Sequence, residues 1–167
     1  MGAGILISME EYLNTDYSPD REYVDGAIVE RYVGERPHSI VQSNVVFRFR
    51  QRYPDLCVWP EIRIRTVSGR CRIPDVSVVL SDPGTAILES PPLIVVEILS
   101  ASDEMTNVMD KLKEYSAIGV PNIWILDPLK KRAYTYQRNT LEEVLGDELV
   151  SASPDIRFNL AEVFQDL

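Results

Sequence analysis

Two acidic residues, Asp75 and Glu97, stand inside apolar segments where an acid is unusual. Glu97 interrupts the run 93–99, and strand alternation places it on the face shared by Val95 and Leu99. An ionised carboxylate buried in a strand costs several kcal/mol unless it is paired or binds a metal. Glu97 therefore has two possible roles: it binds a metal, or it forms an ion pair with one of the arginines at positions 63, 65 and 72.

Asp75 lies near the start of the apolar segment 73–79, where Pro74 is tolerated because the first residues of a strand need no ladder N–H. Alone, Pro-Asp marks only a strand entry or a bend. Two strands that each carry one acid and are joined by a short connection can pair and bring the acids together. Two carboxylates, a main-chain carbonyl and waters form a hard oxygen site suited to Mg²⁺ or Mn²⁺, and phosphodiester hydrolysis needs such a site.

A lysine beside such a site commonly positions the attacking water or shares the charge that develops on the phosphate. Lys111 and Lys113 are the candidates, on the helix expected after Glu97. At about 100° per residue, both lysines flank the apolar stripe of that helix almost symmetrically, so periodicity does not choose between them. For either one, the alternative is a lysine whose stem covers apolar surface while its ammonium stays in water. The stripe consists of Met105, Val108, Met109, Leu112 and Ser116.

The elements that must hold these residues follow from turn, cap and periodicity signals. Asp25-Gly26 indicates a hairpin turn, and Pro37 opens a long helix that ends near Tyr53. Ser100 and Ser102 are candidate N-caps of the next helix, which runs to about residue 118. The remaining signals predict strands over 56–59, 62–67, 71–80, 93–99, 122–126 and 132–138, a short hairpin around Gly146 and a terminal helix over 160–164. This order predicts an α/β (α+β) fold, a mixed β-sheet flanked by helices.

Size and composition are those of an ordinary globular domain. The 167 residues are expected to form one domain over 1–167. No apolar run approaches the roughly 20 residues that span a bilayer, and the N-terminus has no basic stretch before its apolar residues. Cys57 and Cys71 are too few for a disulfide framework. We therefore expect a cytoplasmic protein.

The net charge of −9 argues against a nucleic-acid partner, but its distribution matters more. Between Arg48 and Arg72, seven arginines stand against two acids, Asp55 and Glu61, which leaves this segment at +5. The segment predicts one basic face that contacts a nucleic-acid backbone. The alternative is that these arginines alternate on the solvated sides of a helix and two strands.

The order and spacing of several short motifs resemble the Uma-type restriction endonuclease family of the PD-(D/E)XK nuclease superfamily. The resemblance covers roughly residues 8–165 and implies a restriction-endonuclease-like core. Each motif alone is weak, and only their order and spacing together are specific. The motifs are Glu22 to Gly26, Pro74 to Val79, Pro91-Pro92 through Ser100 with Ser102, Lys111 to Tyr115, Gly119 to Pro121, Trp124, and Asp127-Pro128.

The resemblance implies roles for particular residues. Asp75 and Glu97 would be metal ligands, with the main-chain carbonyl of Ile98 as a third. The chain departs from the superfamily signature at Leu99, where a lysine is expected two residues after the acid. In the Uma-type family this role moves to the following helix, four residues before a tyrosine, which selects Lys111.

Two further residues enter through the same resemblance. Glu22, in the family's early Glu-x-x-x-Gly segment, would reach the site and bind a second metal or a water, unless it is an ordinary acid before a hairpin. His38 is the only histidine and starts the long helix, where the family often has one. An imidazole there can contact a phosphate or act as an acid, although a single histidine near a helix start is more often a surface residue.

These features predict a Mg²⁺- or Mn²⁺-dependent endonuclease that hydrolyses the phosphodiester bonds of DNA. The expected catalytic residues are Asp75, Glu97, Lys111 and Glu22, with His38 at the substrate. A homodimer would suit symmetric cleavage of a duplex. The alternative is a catalytically inactive module of the same fold that binds nucleic acid or a protein partner, which the acidic balance and the absent lysine both favour.

Overall fold

Four helices occur in the computed structural model, which describes residues 6–31 and 34–167. Ser8 caps the first helix, because its hydroxyl accepts a hydrogen bond from the N–H of Glu11 at 3.0 Å. Pro37 lies in the first turn of the second. The helices are α1 (Met9–Leu13), α2 (Arg36–Arg52), α3 (Met105–Ala117) and α4 (Leu160–Val163). Every helix in the described ranges is too short or too polar to traverse a bilayer.

Twelve strands in the described residues form three sheets. The six-stranded sheet has the order β10-β9-β8-β7-β6-β3, the four-stranded sheet the order β2-β1-β5-β4, and β11 pairs with β12. The strands are β1 (Glu22–Val24), β2 (Ala27–Val29), β3 (Cys57–Pro60), β4 (Ile64–Arg65), β5 (Arg70–Arg72), β6 (Val76–Val79), β7 (Ile94–Ile98), β8 (Asn122–Asp127), β9 (Arg132–Gln137), β10 (Thr140–Glu143), β11 (Glu148–Ala152) and β12 (Asp155–Asn159).

Helices cover both faces of the six-stranded sheet. One face packs against α2 through Val41, Val45 and Phe49, together with side chains of β11, β12 and α4. The other face packs against α3 through Val108 and Leu112. Within the sheet only β7 and β8 run parallel, and every other neighbouring pair is antiparallel. The predicted fold class, a mixed sheet flanked by helices, is confirmed.

The central strand β7 is buried along its whole length. Its antiparallel register with β6 pairs Val76 with Val96. Continued by one residue, the same register sets Asp75 opposite Glu97, so the two acids come from directly facing positions of neighbouring chain segments. The pairing of two acid-bearing strands that the sequence suggested is therefore present in the fold.

The four-stranded sheet brings residues from three parts of the sequence beside α3. The hairpin β1–β2 turns at Asp25-Gly26, and both turn residues have positive φ, as a type I′ turn requires. β1 also pairs with β5, which aligns Tyr23 with Cys71. With α1 these strands enclose a small apolar cluster of Tyr12, Tyr23 and Cys71. This sheet presents Glu22 and Arg72 towards the larger body of the protein.

One predicted strand is in fact two. The prediction of a continuous strand over 71–80 is wrong, because β5 belongs to the four-stranded sheet and β6 to the six-stranded sheet. Between them Pro74 has no N–H to donate to a ladder, and the N–H of Ile73 donates to the carboxylate of Glu22 at 3.1 Å. The chain changes sheets at this point, and Asp75 lies where it enters the second one.

Two other local predictions are also wrong. Ser100 and Ser102 do not cap α3, whose N-cap residue is Glu104. The N–H of Ser100 instead donates to the carboxylate of Asp103 at 2.6 Å, which closes a turn before the helix. The segment through Gly146 is no hairpin, because β10 pairs with β9 and β11 pairs with β12.

Candidate active site

A cavity of about 480 Å³ opens where the two larger sheets and α3 meet. Asp75 and Glu97 both line it, so their carboxylates face the same space and not opposite sides of the sheet. Its walls carry an excess of acids over the four arginines and lysines. The acidic lining residues are Glu22, Glu30, Asp75, Glu97, Asp103, Glu104 and Asp110, and the basic ones are Arg31, Arg70, Arg72 and Lys111.

Asp75 is held in place by main-chain and side-chain donors. The N–H of Ile98 donates to its Oδ2 at 2.6 Å, which ties the carboxylate to the residue that follows Glu97. His38 Nε2 lies 3.1 Å from Oδ1, and Arg31 Nη2 lies 3.4 Å from the same atom. Burial lowers the pKa of His38, but the hydrogen bond and charge of Asp75 outweigh it, so the pKa lies above its ordinary value.

Glu97 is buried with incomplete compensation of its charge. The hydroxyl of Tyr115 donates to Oε1 at 2.7 Å, and the Lys111 ammonium lies 3.8 Å from Oε2. Burial raises the pKa of Glu97 to about 7; Lys111 and Tyr115 oppose this rise, and the negative charges of Asp75 and Glu22 add to it. The ionised form of Glu97 is therefore poorly stabilised by its present neighbours, and additional positive charge beside it would stabilise it.

Lys111, not Lys113, lies in the cavity. Its ammonium is 2.9 Å from Glu22 Oε1, and its side chain is 20% exposed. Burial lowers the pKa of Lys111, but the charges of Glu97 and Glu22 outweigh it and raise the pKa above its ordinary value, so the ammonium stays protonated. Lys113 is 58% exposed and pairs with Asp110 on the helix surface. The geometry therefore separates two lysines that helical periodicity leaves equivalent.

Glu22 also reaches the cavity, and it is almost fully buried. Its Oε1 accepts hydrogen bonds from the N–H of Ile73 and from Lys111, and its Oε2 accepts one from Arg72 at 3.0 Å. The alternative of an ordinary acid before a hairpin does not describe this environment, because the side chain is only 2% exposed. Glu22 lies between a lysine and an arginine at the wall of the site.

The arginines that offered an alternative partner for Glu97 are bound elsewhere. Arg63 pairs with Asp20, Arg65 with Glu89, and Arg72 with Glu22 and Glu114. Two further arginines of the segment 48–72 are also paired with acids, Arg52 with Glu162 and Arg70 with Asp25 and Glu114. Arg48 and Arg50 instead donate to the side chain of Gln165 and to the carbonyl of Val58, and the basic face stays a prediction.

The donor set of the cavity fits a hard divalent cation. Among residues 6–31 and 34–167, no group of three or more His, Cys, Asp or Glu side chains is arranged to hold a metal. Asp75 and Glu97 nevertheless supply two facing carboxylates, which suffice for Mg²⁺ because it is often held by one or two carboxylates with water and phosphate oxygens. Burial raises the pKa of Glu97, and the negative charges of Asp75 and Glu22 raise it further, so added positive charge beside this carboxylate would be favourable. The main-chain carbonyl of Ile98 stays a prediction as the third ligand.

The sequence reasoning missed two contacts at the site. The first is the hydroxyl of Tyr115 on Glu97, and its signal was available, because Tyr115 stands one helical turn after Lys111 and on the same face. The second is Arg31, which bridges Asp75 and Glu61. No local pattern marks Arg31, since its partners lie thirty and forty-four residues further along the chain.

Comparisons with known proteins agree with this architecture. A chain described as a "putative nuclease belonging to DUF820" from Anabaena variabilis ATCC 29413 matches at 21% identity with a TM-score of 0.77, over 95% of this chain and 97% of that one, which shows a shared fold. A chain of a DrdV–DNA complex matches at 16% identity over 76% of this chain and 9% of that one, and its TM-score of 0.36 does not establish a common fold. No curated protein matches.

A family model covers most of the sequence. It is the Uma2 model, described as "Putative restriction endonuclease", and it matches residues 9–162. The match includes every candidate site residue from Glu22 to Lys111. The resemblance that the motifs suggested is thereby confirmed, and the chain belongs to the Uma2 restriction endonuclease family.

Proposed function

We propose that the protein is a Mg²⁺- or Mn²⁺-dependent endonuclease that hydrolyses the phosphodiester bonds of DNA. Family membership supports a nuclease. The observation that carries the finer assignment is the convergence of Asp75, Glu97 and Lys111 on one cavity. In this proposal Asp75 and Glu97 hold the metal together with the carbonyl of Ile98.

In the proposed reaction, each residue of the cavity has a distinct role towards a bound phosphate. The metal, when bound, stabilises charge on the scissile phosphate and lowers the pKa of the attacking water. Lys111 stays protonated beside Glu97 and offers its ammonium to the developing negative charge or orients the water. Tyr115 fixes the rotamer of Glu97 through its hydrogen bond.

Two further residues that line the cavity, Glu22 and His38, assist. Glu22 accepts a hydrogen bond from Lys111 and so limits where the ammonium can point. His38 Nε2 lies 3.1 Å from Asp75 Oδ1, so the imidazole stands beside the site and can contact a substrate phosphate.

The acidic walls of the cavity explain why a metal would be needed even for binding. A DNA phosphate that approaches the cavity meets more carboxylates than arginines and lysines. Divalent cations would reverse the local sign of the potential, so DNA affinity is expected to depend strongly on divalent metal. Cleavage of both strands of a duplex by one site per chain would suit a homodimer.

Metal binding and DNA cleavage together test the proposal. Mn²⁺ binding is measured by titration calorimetry, and nicking of supercoiled plasmid is measured with Mg²⁺ and with Mn²⁺. Wild type is expected to bind Mn²⁺ and to nick the plasmid, and Glu97→Ala is expected to lose both properties. Glu89→Ala is the matched control, because Glu89 is an exposed acid that pairs with Arg65 outside the cavity.

The same experiment identifies the alternative function. An inactive module of the nuclease fold predicts that wild type cuts no DNA and that its Mn²⁺ titration equals that of Glu97→Ala. A DNA-binding measurement in Ca²⁺ then distinguishes a nucleic-acid module from one that binds a protein partner. Equal cleavage by wild type and Glu97→Ala would instead show that the nuclease site lies elsewhere.

A further inference from the structure

A chain of buried ion pairs leads from the cavity into the contact between α3 and the four-stranded sheet. Glu114 lies on α3 one turn after Lys111 and is only 5% exposed. Its Oε1 accepts hydrogen bonds from Arg70 and Arg72, and its Oε2 accepts hydrogen bonds from Arg72 and Thr66. Both oxygens of this carboxylate are thus bound by residues of, or next to, the small sheet.

Arg72 connects this cluster to the candidate active site. Its Nε and Nη2 donate to the two oxygens of Glu114 at 2.9 and 2.6 Å, which is a bidentate pair. Its remaining nitrogen, Nη1, donates to Glu22 Oε2 at 3.0 Å. The guanidinium is planar and rigid, so fixing two of its nitrogens on Glu114 also fixes the direction of the third.

The direction of Nη1 determines where Glu22 can lie. With Oε2 held by Arg72 and Oε1 held by the N–H of Ile73, the Glu22 carboxylate has little freedom to rotate. Its Oε1 then receives the Lys111 ammonium at 2.9 Å, beside Glu97 at 3.8 Å. The ammonium is therefore placed by a sequence of contacts that begins at Glu114.

We propose that Arg72, locked in orientation by Glu114, is a positioning residue that sets the Lys111 ammonium through Glu22. This inference rests on the proposed function for its catalytic consequence, because Lys111 is the group that would meet the reacting phosphate. Arg72 lines the cavity, but each of its three nitrogens donates to Glu114 or Glu22 and not to Asp75 or Glu97. Arg72 and Glu114 act on the reaction only through Glu22 and Lys111.

A positioning role requires the orientation of the Arg72 guanidinium, whereas a role in stabilising the fold requires only its charge and volume. Burying Arg72 and Glu114 costs desolvation, and buried ion pairs often stabilise no more than apolar residues of the same volume. A lysine at position 72 would supply the same charge, yet it cannot donate to two carboxylates in a fixed fork. Arg72→Lys is thus the variant that keeps the charge and removes the orientation.

Nuclear magnetic resonance of the lysine side-chain ammonium groups gives a readout independent of catalysis. In ¹⁵N-labelled protein, the Lys111 signal is assigned by its loss in Lys111→Met. Wild type is expected to show a slowly exchanging ammonium, since the group is held by two carboxylates. In Arg72→Lys the signal should shift and exchange faster, whereas in Arg132→Lys, an exposed arginine paired with Glu143, it should not change.

Plasmid cleavage supplies the second readout. Arg72→Lys is expected to lower kcat on the order of tenfold to a hundredfold, because small misplacements of a catalytic group have effects of this size. KM for the plasmid should change less than about threefold, since every nitrogen of the Arg72 guanidinium already donates to Glu114 or Glu22. Arg132→Lys should keep both constants at the wild-type values.

The outcomes separate the two proposals. If wild type cuts no DNA, the proposed function fails, and the ammonium spectra still test the positioning role. A Lys111 signal in Arg72→Lys that equals the wild-type signal overturns the positioning role, whatever the cleavage rate. Should Arg72→Lys fail to fold, Thr66→Val, which removes one hydrogen bond to Glu114, must shift the Lys111 signal in the same direction or the inference is wrong.

Discussion

Glu97 and Glu114 are two buried glutamates of the same protein whose environments act in opposite directions. Their side chains are 10% and 6% exposed. Glu97 has one hydroxyl donor and one lysine at 3.8 Å, and its pKa is raised to about 7. Burial alone would raise the pKa of Glu114 too, but hydrogen bonds from Arg72 and Arg70 outweigh it and lower the pKa.

The comparison shows that burial alone does not identify a cation site. The two carboxylates differ in their partners: two arginines and a threonine bind Glu114, whereas Glu97 has one tyrosine hydroxyl and a lysine at 3.8 Å. A buried acid with too few partners is costly in the metal-free protein, and a divalent cation removes that cost. Glu114 has no such need, and its contacts hold two parts of the fold together.

The largest expected effect is on stability at Glu114. Glu114→Ala should lower the free energy of unfolding by about 3–5 kcal/mol, because it leaves Arg72 buried without its bidentate partner. Urea unfolding at pH 7 with EDTA measures the change. Glu89→Ala breaks only a half-exposed pair with Arg65 and should cost less than about 1 kcal/mol.

Glu97→Ala, measured by the same urea unfolding, is to be compared with Glu114→Ala. It removes a carboxylate that is poorly compensated, and Lys111 keeps its contact with Glu22. The loss of stability should therefore be clearly smaller than for Glu114→Ala. Equal losses of unfolding free energy in the two variants would mean that Glu97 is as fully paired as Glu114 and that the two carboxylates do not differ in charge compensation.

The second effect concerns the two lysines of α3. Lys111→Met should lower the cleavage rate by about a hundredfold, the size that loss of one positioned donor to a developing charge typically has. Lys113→Met should leave the rate unchanged, since that lysine pairs with Asp110 on the surface. Initial rates of plasmid nicking, with folding checked by circular dichroism, give the answer. Equal rates for the two variants would remove Lys111 from the reaction.

Local patterns predicted most of the strands and singled out the two acids, Asp75 and Glu97, that line the cavity. Strand alternation placed Glu97 among apolar residues, and the Pro-Asp start of a strand marked Asp75. Their facing positions follow from the antiparallel register of β6 and β7, although residues 80–93 separate the two strands. The fold class followed in the same way from the order of helical and strand periods.

Long-range pairing is what the sequence alone did not provide. Helical periodicity left Lys111 and Lys113 equivalent, and only the approach of β1 to α3 brings Glu22 to one of them. The contacts of Arg72 with Glu114 span 42 residues and join a strand to a helix. The exit of the chain from one sheet into another at Pro74 also depends on this packing, because an isolated 71–80 segment has the pattern of one strand.

The smallest effect, and the most direct measure of charge compensation, is the pH dependence of stability in metal-free protein. The pKa of Glu97 is raised in the folded state from its ordinary 4.5 to about 7, so the folded protein binds more protons than the unfolded chain between these values. Stability contributed by the neutral carboxyl is present below about pH 4.5 and is lost as pH rises through about 7. The part of this loss that falls between pH 5 and pH 8 is about 2.5 kcal/mol.

Glu97→Gln should remove this loss, because the amide keeps an acceptor for Tyr115 and carries no charge at any pH. The difference in unfolding free energy between pH 5 and pH 8, measured in EDTA, should therefore be smaller in Glu97→Gln than in wild type. Glu89→Gln, at an exposed pair, should keep the wild-type difference. If Glu97→Gln keeps the wild-type difference as well, the charge of Glu97 is already balanced without a metal, and this carboxylate needs no cation.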